Sequence, residues 1–83
     1  MTRTEIREKI TELLSDILDD EDLVLEDSTL ASNVDGWDSV NHIKLIVAIE
    51  AEYGIRFDTE EATAPENVGA LVNLIAKKIA SPE

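Results

Sequence analysis

Asp35-Gly36-Trp37-Asp38-Ser39-Val40 joins a long acidic loop to the most apolar segment of the chain, Val40 to Tyr53, and the reading of this junction decides the fold. Gly36 permits a tight turn. Asp38 suits a helix N-cap, because its carboxylate can accept from a backbone N–H one turn in. Ser39 then takes the first helical position, with its hydroxyl beside the positive end of the helix dipole. A phosphate esterified to that hydroxyl would lie near N–H groups that have no intrahelical acceptor and suit an anion. The plainer reading makes Asp38 and Ser39 only a cap and an exposed first-turn residue.

The helix that follows runs from Ser39 to about Tyr53. At about 100° per residue, Val40, Ile43, Leu45, Ile46, Val47, Ile49 and Tyr53 cover more than half its circumference, leaving Asn41, Lys44, Ala48 and Glu52 on the other side. So broad an arc predicts a central helix with neighbours on several sides, stopped by Gly54. Upstream, Ile6, Ile10, Leu13, Leu14 and Ile17 predict a helix over about Thr4 to Leu18, with Thr2 and Glu5 at capping-box spacing. Asp19 to Trp37 has no sustained helical period, and Leu23, Val24, Leu25, Leu30 and Val34 are expected to pin it across the bundle.

Downstream, Ile55 and Phe57 are expected to fold back on the core, and Asp58 to Ala62 reads as one helical turn capped by Asp58 or Thr59. Pro65 ends it, Asn67 caps the last helix, and Val68, Leu71, Val72, Ile75 and Ile79 keep helical spacing to about Ala80, with Lys77 and Lys78 complementing the dipole. The expected fold is all-α: a small four-helix bundle, three main helices plus one short one, with a long first loop. It forms one domain over residues 1–83, of which 81–83 are a tail.

Composition narrows the function. A net charge of −12, from 19 acids against 7 bases, disfavours nucleic acid and anionic membrane surfaces, which need cationic contacts. Partners with basic patches are the better expectation. The chain has no cysteine, hence no disulfide framework or thiolate zinc site. Its longest apolar run, Leu45 to Ile49, is far too short to span a bilayer, and no signal-peptide pattern follows Met1, so a cytoplasmic location is expected. The acids from Asp19 to Asp27 match no calcium-loop pattern.

Ser39 and His42 share a helix face beside Asp38, but Asp38 cannot readily orient His42 from behind and no oxyanion hole is recognisable, so hydrolysis is not expected. His42 reads as a partly buried or rim histidine at the edge of the apolar arc. A small acidic bundle with a helix-capped serine and no nucleophile network could instead display a modified serine.

Asp38-Ser39-Val40, within Gly36-Trp37-Asp38-Ser39-Val40-Asn41-His42-Ile43, resembles the phosphopantetheine attachment motif of acyl carrier proteins. The likeness extends over the first helix, the loop with Leu30, the second helix ending Glu50-Ala51-Glu52-Tyr53-Gly54-Ile55, and Asn67-Val68-Gly69-Ala70-Leu71. It implies a right-handed up-down bundle and a covalent 4′-phosphopantetheine on Ser39, transferred from coenzyme A by a phosphopantetheinyl transferase that uses magnesium itself. Asp38 matches the acid that helps place transferase and metal. The arm would carry acyl groups as thioesters between the loading, synthase or transferase enzymes of a fatty-acid, polyketide or specialised pathway. The chain itself would be a non-catalytic, monomeric carrier.

The resemblance further implies that Trp37, Val40, Asn41, Lys44 and Glu50 meet partner enzymes, and that Ile46, Ile49, Ala62 and Leu71 fall where an acyl chain is sheltered; ordinary core packing is the better reading of those four. Lys44 and Ala51 stand where relatives in fatty-acid synthesis commonly carry acids, and Trp37 where a small residue is frequent. These departures point to a dedicated carrier in a specialised pathway. The start at Met1 and the stop just past the last helix suit a free-standing protein, and an excised domain of a larger synthase would look similar. Two alternatives stay open: an aminoacyl or peptidyl carrier, and an unmodified acidic helical module that binds proteins through Trp37, Val40 and Ile43.

Overall fold

Thr2 opens the first helix in the computed structural model, which describes residues 2–80. Its hydroxyl accepts the Glu5 N–H at 3.1 Å while the Glu5 carboxylate accepts the Thr2 N–H at 2.9 Å, the reciprocal box that the spacing predicts. Helix α1, Arg3–Leu18, buries Ile6, Ile10 and Leu14 completely and rests Leu13 and Ile17 on the margin of the core. Asp19 ends it in the left-handed region at φ 55°, which Asp tolerates better than most residues.

Three further helices follow: α2, Ser39–Tyr53; α3, Thr59–Thr63; and α4, Val68–Ala80. Helix α1 packs against both α2 and α4. The core is aliphatic apart from Trp37, with Leu45, Ile46 and Ile49 from α2 meeting Val68, Leu71, Val72 and Ile75 from α4. No helix among the described residues is long and apolar enough to cross a membrane. The tail expected at 81–83 lies outside the described residues.

The long first loop is packed, and it contains a 3₁₀ turn, Ala31–Asn33, which hydrophobic periodicity does not reveal. Its carbonyls cap α4 from outside: the N–H of Val68 donates to Thr29 at 2.9 Å and that of Gly69 to Asp27 at 2.8 Å. The Asp27 carboxylate bridges Arg3 at 2.9 Å and Arg7 at 3.2 Å, and Arg3 also donates to the Asn73 side chain at 2.8 Å. Leu25 is buried, and Leu23 and Val34 pack on the core. Val24 and Leu30 depart from expectation, at 75% and 39% exposed. Burial alternates along 23–26, as in an extended segment with one side on the bundle, and this turns Val24 outward.

Ile55 and Phe57 fold back on the core as expected. The N–H of Phe57 donates to the Glu50 carboxylate at 2.8 Å, and the Lys78 ammonium sits 5.4 Å from the Phe57 ring centre. Asp58 and Glu61 form the capping box of α3, and the Asn67 side chain accepts the Ala70 N–H at 2.8 Å at the start of α4. Lys78 also pairs with Glu61 at 2.9 Å, tying α4 to α3 and holding the Glu61 carboxyl below its ordinary range.

The broad arc of α2 needs correction. Leu45, Ile46 and Ile49 are buried, but Val40, Ile43 and Val47 stand 61%, 64% and 57% exposed. Neighbours cover only one flank of this helix, and a five-residue α3 is too short to screen the other.

Candidate functional site

The site is built at the junction before α2. Gly36 has φ +87°, so the turn demands glycine; a Cβ there would also lie 3.2 Å from Leu18 Cδ2, a close contact that the leucine side chain would have to relieve. Its carbonyl accepts the Asp38 N–H at 2.9 Å and the Asn41 side-chain amide at 2.7 Å. The Asp38 carboxylate accepts the Asn41 N–H at 2.8 Å, the N-cap that the sequence predicts. Because the first intrahelical bond runs from His42 N–H to the Asp38 carbonyl, at 2.8 Å, the N–H groups of Ser39 and Val40 have no acceptor within the helix. Ser39 is exposed.

A phosphodiester on Ser39 fits this arrangement. The hydroxyl is reachable, the helix end favours an anion, and the Asp38 carboxylate is turned to the Asn41 N–H. Among the described residues, His42 is not free to act as a base for that hydroxyl. Both ring nitrogens of His42 are engaged, Nδ1 with the Trp37 indole at 3.1 Å and Nε2 with the Ala62 carbonyl at 2.7 Å. His42 is therefore half-buried, in keeping with the sequence reading, and a bonded link between elements, which the sequence does not reveal.

Of the residues expected to meet partners, Val40 and Lys44 are exposed on α2. Trp37 is not available: only 8% of it is exposed, because the Gly36 turn aims the indole inward against His42. Asn41 and Glu50 are half-buried and committed, the first to Gly36 and the second to Phe57. Ile43 and Val47, which periodicity assigns to the core, join Val40 in one exposed apolar stripe. Toward the end of α2 the stripe meets an open depression of about 500 Å³ lined by Val47, Glu50, Ala51, Gly54, Ile55 and Arg56. Ile46, Ile49 and Leu71 are buried in the common core with Ala62 packed against it, a placement compatible with plain packing and with a chain-sheltering role.

Comparison with known proteins places the chain. Residues 8–75 match the family described as phosphopantetheine attachment site. An acyl carrier protein of Petrotoga mobilis is 35% identical over 95% of this chain and 93% of its own length. One from Thermotoga maritima is 32% identical over 94% of this chain and 96% of its own. The solution structure of holo acyl carrier protein from Geobacter metallireducens superposes with a TM-score of 0.82 at 37% identity, covering 90% of this chain and 86% of that one. With this fold, this serine-bearing helix start and these relatives, the chain belongs to the acyl carrier protein family, non-catalytic proteins that carry acyl groups on a covalent 4′-phosphopantetheine arm.

Proposed function

We propose that the arm is esterified to the Ser39 hydroxyl by a phosphopantetheinyl transferase, and that the carrier then meets its enzymes through the exposed face of α2. One observation carries this reading: an exposed serine is the first residue of a helix whose terminal N–H groups face outward, directly after a carboxylate cap. When bound, the arm supplies a tethered thiol that holds acyl groups as thioesters. The residues of the chain orient and display. Asp38 and Gly36 set the direction of the first turn, and His42, engaged at both nitrogens, leaves removal of the Ser39 proton to the partner enzyme.

Val40, Ile43 and Val47 offer apolar contact, and Lys44 among them makes the docking strip mixed in charge. That mixture favours enzymes whose docking surface is less uniformly basic, and so a dedicated pathway.

Intact mass before and after incubation with a broad-specificity transferase, coenzyme A and magnesium tests the reading. A single phosphopantetheine increment is expected, mapped to the peptide containing Ser39 and abolished by Ser39→Ala. An unchanged mass on folded protein with several transferases overturns it.

A further inference from the structure

Trp37 is the only tryptophan and His42 the only histidine of the chain, and the structure joins them. An indole N–H donates and never accepts. The His42 Nδ1, 3.1 Å from the indole nitrogen, is therefore the bare nitrogen of a neutral ring. The hydrogen sits on Nε2, which donates to the Ala62 carbonyl at 2.7 Å. The two partners alone fix the tautomer.

This ring grips two elements. One end holds the residue two positions before Ser39, and the other holds α3 through Ala62. Three bonds arch over Ser39 and Val40: Trp37 to His42, the Asn41 amide to the Gly36 carbonyl, and the Asn41 N–H to Asp38. Of these, only the first depends on the charge of an imidazole. We propose that His42 is a positioning residue for Ser39, presenting its hydroxyl by holding Trp37 in the core, and that a proton on Nδ1 releases that hold. The proposal rests on Ser39 as the attachment residue.

A proton on Nδ1 would set two N–H groups against each other across 3.1 Å, while Nε2 remains a donor and keeps Ala62. Acid thus frees Trp37 without detaching α3. The charged groups nearest the pair in sequence are Asp35, Asp38 and Lys44, with Glu61 next to Ala62 on α3 and Lys78 of α4 pairing with Glu61 at 2.9 Å. The decisive control removes only the imidazole. Glutamine does so, offering one acceptor and one donor with no titration.

Arm attachment is timed by intact mass from pH 8 to pH 5.5, the range over which imidazole ordinarily changes charge. The Trp37 indole N–H resonance is followed on the same samples. Taking wild type relative to His42→Gln at each pH cancels the transferase's own pH dependence. At pH 8, His42→Ala is expected to slow attachment about three- to tenfold, the worth of one net hydrogen bond, with His42→Gln restoring most of the loss. The ratio of wild type to His42→Gln is expected to fall about threefold or more by pH 5.5 as the indole resonance moves. If His42→Ala does not fold, that ratio decides alone. A flat ratio overturns the proposal, whether or not the resonance moves, because the pair is then structural only. Wild type that accepts no arm at any pH overturns the Ser39 reading and this one with it, while an indole resonance that still responds to pH shows that the pair itself is present.

Discussion

At Gly69 a side chain would have to share space with the first loop. A Cβ there would meet the Cβ and the carbonyl oxygen of Asp27, each at 3.1 Å. Helix propensity alone would reward Gly69→Ala by up to about 1 kcal/mol, less so near a helix start. Crowding in a packed site costs about 1–3 kcal/mol, and the Asp27 carbonyl cannot retreat without stretching its 2.8 Å bond from the Gly69 N–H. Crowding wins, and a net loss of about 1 kcal/mol is expected in denaturant unfolding; a gain would show that the loop yields. Gly54 reverses the reasoning. Nothing lies within 4 Å of its missing Cβ, yet φ is +66°, so Gly54→Ala is expected to cost about 1 kcal/mol through the backbone alone.

Among the elements, α2 carries the proposed attachment and docking residues and was the hardest to orient from its sequence. The caps were legible, because Thr2, Asp38, Asp58 and Asn67 act on N–H groups within three residues of themselves. The inward face of α1 was legible for the same local reason. Periodicity, however, reports which side chains are apolar and not which of them find a neighbour. Period alone therefore put Val40, Ile43 and Val47 in the core arc, although the family resemblance placed Val40 at the partner surface, and Trp37 looked like surface until the reach of α1 and α3 was known. The tautomer-fixing partners of His42 lie in the preceding turn and on α3, and no spacing rule links them.

Exposure of the stripe makes a separable expectation. Ile43→Ser should leave stability within about 0.5 kcal/mol, as for other surface positions, while lowering kcat/KM of enzymes that use the carrier as substrate. Lys44→Glu should shift preference toward enzymes with more basic docking surfaces; unchanged kinetics across a panel of partners would remove Lys44 from recognition.

For the molecule as a whole, charge sets the response to acid. Asp27 is held below the ordinary carboxylate range first by its hydrogen bonds from Arg3 and Arg7, and Glu61 by Lys78. Groups with depressed folded values bind protons more tightly in the unfolded chain. Their stabilisation is therefore complete above the ordinary carboxylate pKa of about 4 and is lost as pH falls through the folded values. Mild acidification relieves the self-repulsion of a −12 chain and opposes the loss of the Trp37–His42 bond proposed above, so Tm is expected to change little from pH 7 to pH 5 and to drop below about pH 4. Asp27→Asn should lower Tm at pH 7 and flatten that acid limb; an acid limb as steep as wild type would locate the lability elsewhere. The stripe on α2 has a colloidal consequence too. An apolar surface left bare is open to a second copy, and like charge is what keeps copies apart. That repulsion reaches about 8 Å at physiological ionic strength and about 3 Å in molar salt. Light scattering at rising salt should therefore show this carrier beginning to pair with itself, and glutamate in place of Ile43 should keep the copies dispersed.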